Sequence, residues 1–255
     1  QYGNPSSLHK KGIEAENILT AARRTAASIL NCDPDNIIFT SGATESNNLA
    51  ILGGIAAHKR DGKTIVTSTV EHASVEHTVA FLEKQGYTIK RVQPRPDGNF
   101  AAADFIDAVD SDTVLLTFMM VNNELGTILP YESIVSSLRR KYPKLLIHMD
   151  AVQGFTKFPL NIRKIDVDLI SFSGHKLYAP KGIGGLYIKK GIRLEPVPHG
   201  GSQERSLRSG TQAVPFIAAL DQALRLCMEK GPQWMETYRY CNHYLREALQ
   251  KIPEV

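Results

Sequence analysis

Strand-length apolar runs alternate along this chain with segments whose apolar residues recur at helical spacing, and few architectures accommodate that order. Runs at 36–40, 63–70, 87–93, 113–120, 145–150 and 168–173 read as strands, and a Pro/Gly loop after the last leads into one more, ending near Ile188. Between them, 8–30, 43–58, 73–86, 101–110 and 131–142 read as helices. In the first of these Ile13, Ile18, Leu19, Ala22, Ala26, Ile29 and Leu30 keep one face. Two further helices are expected at 212–230 and 233–251. Strands joined through helices become parallel neighbours by right-handed crossovers. The order therefore predicts a three-layer α/β/α fold around a mostly parallel sheet, with strand carboxyl ends on one edge.

That edge is where open α/β sheets bind ligands, and the residues expected there are chemically loaded. The first strand runs into Ser41-Gly-Ala-Thr-Glu45, a glycine turn opening a helix. Its free N–H groups and the Thr44 hydroxyl suit an anion, although the same pattern also makes an ordinary capped helix start. The second strand ends at Glu71-His72, whose imidazole could lie flat on an aromatic cofactor or be structural. The fourth ends at Asn122-Asn123-Glu124. The fifth ends at Asp150, followed by Gln153. A carboxylate ending an apolar strand either caps the next turn or meets a cation such as a protonated pyridine nitrogen, because its desolvation is otherwise costly. Gln153 could then donate to the ring's phenolic oxygen. The sixth strand ends at Ser173-Gly-His175-Lys176. A lysine held there away from bulk water would have a lowered pKa and an available neutral amine. Ser173 and His175 would face an anionic group over the same turn. Together these are the parts a pyridoxal-phosphate enzyme needs.

Six separated motifs then carry a resemblance over nearly the whole chain. Ser41-Gly-Ala-Thr-Glu-Ser-Asn-Asn-Leu-Ala50, Glu71-His72, Asn122-Asn-Glu-Leu-Gly126, Asp150-Ala-Val-Gln153, Ser173-Gly-His-Lys176 and Arg208-Ser-Gly-Thr211 resemble the cysteine desulfurases of the NifS/IscS type. These belong to the class V aminotransferase branch of the fold type I pyridoxal-phosphate enzymes. The opening Tyr2-Gly-Asn-Pro-Ser-Ser-Leu-His9 matches the same branch. The resemblance implies pyridoxal 5'-phosphate as cofactor, carried covalently by Lys176. It implies Asp150 on the pyridine nitrogen, Gln153 on the phenolic oxygen, and His72 stacked on the ring and helping to move protons. Thr44, Ser173 and His175 would hold the phosphate, joined by Thr211 from the partner subunit of a homodimer, and Asn123 would face the substrate. Arg205 and Arg208 fall in the matching loop without an implied role.

The implied reaction removes sulfur from L-cysteine, giving L-alanine and an enzyme persulfide for a sulfur-acceptor or scaffold protein in iron–sulfur or thio-cofactor assembly. The family's mobile-loop cysteine and its C-terminal substrate-binding arginine have no counterpart here. Cys32, Cys227 and Cys241 read as structural. Residues 1–230 are accordingly expected to form the large cofactor-binding domain and 231–255 the first part of a truncated small domain. A chain of 1–255 alone is expected to be inactive. A class V aminotransferase or lyase acting on another amino acid is the alternative within the class. A non-catalytic cofactor-binding protein is the alternative outside it.

Composition narrows the rest. A net charge of +4 with scattered Lys and Arg argues for neither nucleic acid nor membrane as partner. No apolar run reaches bilayer-spanning length. Three cysteines at unrelated spacings, with no secretory leader before the first motif, suggest a reducing, cytoplasmic setting. His72 and His77 are not at zinc-binding helical spacing and no Cys pair supports them, and Gly182-Ile-Gly-Gly185 is too irregular for a dinucleotide loop.

Overall fold

In the computed structural model, residues 2–253 are described; Gln1, Glu254 and Val255, which the expected domain limits include, lie outside them. A seven-stranded sheet forms the middle layer: β1 (Ile37–Thr40), β2 (Thr64–Ser68), β3 (Thr88–Val92), β4 (Thr113–Met119), β5 (Leu146–Asp150), β6 (Leu169–Ser173) and β7 (Gly184–Ile188). Their spatial order is β1-β7-β6-β5-β4-β2-β3. Only β7 runs against the rest, antiparallel to β6 and to β1, so the carboxyl ends of the other six share one edge.

Alternate strand residues feed two separate cores, which is what makes three layers. Ile37, Phe39, Val66, Leu116, Phe118, Ile147, Met149, Ile170 and Phe172 face one side. There they meet α1 (Lys10–Leu30), α5 (Ala102–Ala108), α6 (Tyr131–Lys141) and the first half of α7 (Val214–Leu249). Ile38, Ile65, Leu115, Leu146, Leu169 and Leu186 face the other, against Leu49, Ala50 and Ile51, α3 (Gly54–His58) and α4 (Ala73–Glu83), while α2 (Ala43–Asn48) lies by β6 and β7 and buries only Ser46 and Asn47. All residues of β4, β5 and β6 are buried, as strands covered on both faces must be. The helix expected over 43–58 forms, but a π turn at Leu49–Gly53 separates α2 from α3.

The expected pair of helices at 212–230 and 233–251 is one continuous helix, α7. Pro232 lies inside it, and the first half is fixed by burial of Ile217, Leu220, Leu224 and Cys227 along α1. The second half has no such support. Tyr240, Tyr244, Leu245 and Leu249 are exposed. Among the described residues no helix is long and apolar enough to cross a membrane, and no group of three or more His, Cys, Asp or Glu could hold a metal ion.

Candidate active site

The sheet's carboxyl edge opens into a cavity of about 340 Å³. Every side chain singled out from the sequence for this site lines it except Thr211: Thr44, His72, Asn123, Asp150, Gln153, Ser173, His175 and Lys176. Thr211 is exposed and lies outside this lining.

Asp150 ends β5 and is 5% exposed. Its Oδ1 accepts the Val152 N–H at 3.0 Å and its Oδ2 accepts the Asn47 amide at 2.8 Å, so it does cap the following turn. No lysine or arginine pairs with it among the described residues. Burial raises its pKa above the ordinary carboxylate value, and the two hydrogen bonds and His72 only partly offset this. A cationic donor in the cavity would hold this carboxyl ionised. The N–H of a protonated pyridine ring is such a donor, so the residues here suit pyridoxal phosphate.

Asn47 was not legible as a site residue. Within the polar helix α2 it reads as one more polar residue, yet it is fully buried and also donates to Ser74 Oγ at 2.9 Å. Two adjacent asparagines before an apolar stretch were the only sequence signal. Glu71 was likewise not assigned. Its Oε1 accepts the Ser68 hydroxyl at 2.5 Å and the Met119 N–H at 3.0 Å, which ties the ends of β2 and β4 together. Its Oε2 is buried without a partner. Burial pushes its pKa up to about 8, with the Asp150 charge adding to it, so the group is neutral through most of the physiological range.

His72 caps α4, its Nδ1 accepting the Ser74 N–H at 3.1 Å. Ser173 Oγ and His175 Nδ1 are 2.8 Å apart. Burial and then the Lys176 and Lys181 charges lower the His175 pKa, which favours a neutral ring with one donor. Lys176 sits on a short 3₁₀ turn, Gly174–Leu177, and is exposed. The expectation that the strand would shield this lysine from water is corrected: the turn lifts it out of the buried row into the cavity mouth. Behind it, Lys157 lines a smaller cavity with Lys176 and Cys227, and burial and then the Lys176 charge lower its pKa.

The turn 41–44 needs glycines. Gly42 has φ +150°, and a Cβ on Gly184 of β7 would lie 2.8 Å from the Gly42 Cα and 2.7 Å from the Phe172 carbonyl. None of the three cysteines lines the cavity. Cys32 is half-buried, and burial followed by the Asp33 charge pushes its thiol up to about 12. Cys227 is buried in the α7 core face. Cys241 is exposed on the outer half of α7, so the structural role expected for it has no packing behind it.

The family model for aminotransferase class-V matches residues 1–255. A cysteine desulfurase IscS of Methanosarcina thermophila is 39% identical over 253 residues, covering 99% of this chain and 62% of its own length. One from Glaesserella parasuis serovar 5 is 44% identical, covering 100% and 63%. Among solved structures, a NifS-like protein superimposes with TM-score 0.94 at 38% identity, covering 98% of this chain and 68% of that one. DndA from Streptomyces lividans does so with TM-score 0.91 at 36%, covering 99% and 72%. The chain thus spans less than two thirds of the length of these curated relatives.

Proposed function

The chain belongs to the aminotransferase class-V family, and from that premise we propose that it is the pyridoxal-phosphate-binding part of a cysteine desulfurase. The observation that carries the reading is Asp150: a buried carboxylate without a cation, facing the cavity that Lys176 enters. Bound pyridoxal phosphate would supply an electron sink for charge developing at the substrate Cα. Lys176 would hold the cofactor covalently until the substrate amine displaces it and, once freed, would take the proton from the substrate Cα with His72. Asp150, oriented by Asn47, holds the proton at the ring nitrogen. Gln153 donates to the phenolic oxygen. Thr44, Ser173 and His175 bind the phosphate, and Asn123 faces the substrate.

The substrate in this reading is L-cysteine, and the products are L-alanine and sulfur held on an enzyme thiol for an acceptor or scaffold protein. Attack on the substrate sulfur needs an exposed, low-pKa thiolate near it. The burial of Cys227, the raised pKa of Cys32 and the position of Cys241 outside the cavity lining argue against all three. We place that thiolate in the part of the relatives' length that this chain does not span. We also place 1–230 in the cofactor domain and 231–255 at the start of a second, and assign exposed Thr211 to the phosphate of the other subunit in a homodimer.

Borohydride reduction of the cofactor-loaded protein followed by peptide mapping tests the assignment. The label is expected on Lys176, and a label on any other lysine overturns it. Sulfide and alanine released together from cysteine, absent in Lys176→Ala, separate a desulfurase from an aminotransferase or lyase of another amino acid. A protein made of residues 1–255 alone is expected to release neither above background. Equal release of both by that fragment would give one of its three cysteines the catalytic role.

A further inference from the structure

The loop between β7 and α7 holds a backbone conformation that L residues rarely take in succession. Glu204, Arg205 and Ser206 have φ of 45°, 58° and 62°. Such a turn persists only where its surroundings over-determine it. Here the fixing contact is the Glu204 carboxylate, 5% exposed. The Arg23 guanidinium donates to both of its oxygens at 2.9 Å, and the Phe39 N–H of β1 donates to Oε2 at 2.8 Å. Arg23 also donates to the Ile37 carbonyl. The strained turn is therefore bolted to β1 two residues before Ser41.

The other end of the loop reaches the far side of the same turn. Arg208 Nε donates to Glu45 Oε1 at 2.8 Å, and Glu45 Oε2 accepts the Ser41 N–H at 2.7 Å. Burial works against the Glu45 charge, but hydrogen bonds from Arg208 and then Ser41 outweigh it and hold Glu45 ionised. Glu45 also lines the cavity, beside Ser41, Gly42 and Thr44. A carboxylate there repels any anion bound on that turn unless its charge is balanced in place.

We propose that loop 203–208 is a two-point clamp on turn 41–44, and that Arg208 is a positioning residue for the cofactor phosphate, acting by neutralising and holding Glu45. In this role Arg208 acts through Glu45, to which its Nε donates, rather than on the phosphate directly. Glu204 is the second anchor. This deepens the cofactor reading above and rests on it.

The test is cofactor affinity of the apoprotein, prepared from the full-length protein, for pyridoxal phosphate and for pyridoxal, followed by absorbance. Thermal melting of each variant is recorded alongside. Arg208→Met is expected to weaken pyridoxal phosphate by about tenfold or more while changing pyridoxal by less than about twofold, since only the phosphate meets the uncovered carboxylate. Arg208→Lys keeps the charge and should retain most of the affinity. Glu45→Gln combined with Arg208→Met removes the repulsion and should recover most of the loss, an outcome that a purely structural role for Arg208 does not produce. Should Arg208→Met weaken both ligands equally, with no recovery in the double variant, the clamp is overturned and the cofactor reading stands. A wild-type apoprotein that binds neither ligand overturns the cofactor reading and the clamp together.

Discussion

His148 offers a test of the sheet interior whose size can be worked from its surroundings. It lies on β5 two residues before Asp150 and is 0% exposed. The Thr117 hydroxyl sits 2.8 Å from Nδ1 and the Ser171 hydroxyl 2.9 Å from Nε2, so a neutral ring is fully satisfied between β4 and β6. Burial lowers its pKa from 6.5 to about 3. A group whose folded pKa is depressed contributes stability that is full above its unfolded value and is lost as pH falls toward the folded one. Each pH unit inside that window costs about 1.4 kcal/mol, so moving from pH 7 to pH 5 should remove roughly 2 kcal/mol. Glu71 acts with the opposite sign. Its folded pKa of about 8 lies above the ordinary 4.5, so its contribution is full below that ordinary value and is lost as pH rises toward 8. Over the same interval, which lies wholly inside its window, it gains roughly 2.5 kcal/mol on acidification, so the two largely cancel. Urea unfolding of wild type and His148→Gln at pH 7, 6 and 5 separates them. The variant should lose stability at pH 7 but become relatively more stable as pH falls, by roughly 2 kcal/mol across the interval. If its stability keeps the wild-type dependence on pH, the buried neutral histidine is not the titrating group and the reasoning fails.

Other outcomes follow from single contacts. Glu71→Gln should flatten the loss of stability as pH rises from about 5 to 8, measured by thermal melting across that range; a wild-type profile would show that Glu71 is ionised throughout. In the full-length protein, Asp150→Ala should cut turnover by several powers of ten while weakening cofactor binding less, because the partner of the ring nitrogen is lost but Lys176 remains; a near-wild-type rate would leave Asp150 as no more than a cap. Gly184→Ala forces a Cβ against Gly42 and the Phe172 carbonyl and should destabilise by about 1–3 kcal/mol, read by urea unfolding, together with a loss of phosphate affinity. Thiol titration of the folded chain should find Cys241 reacting quickly, Cys32 slowly and Cys227 only on denaturation, and a fast Cys32 would contradict its raised pKa.

The order of strands and helices was open to reading because each element's burial follows its own periodicity. β4 to β6 are apolar throughout since helices cover both faces, and α1 and α6 each keep one apolar side. The placement of Thr44, His72, Asn123, Asp150, Gln153, Ser173, His175 and Lys176 around one cavity was legible too, because parallel crossovers send strand carboxyl ends to a common edge. Three matters lay beyond local sequence. The reversal of β7 between β6 and β1 depends on pairing across more than 140 positions of chain. The continuity of α7 through Pro232 depends on packing of its first half against α1, which no helix-breaking signal at the proline could reveal. The partners that give side chains their chemistry are also distant. Asn47 meets Asp150 across 103 positions, Arg208 meets Glu45 across 163, and Arg23 meets Glu204 across 181. A sequence fixes which residues carry charge and hydrogen-bonding groups; the desolvation that makes Asp150 demand a cation, and the pairing that spares Glu45 the same demand, arise only when the fold brings those distant groups together.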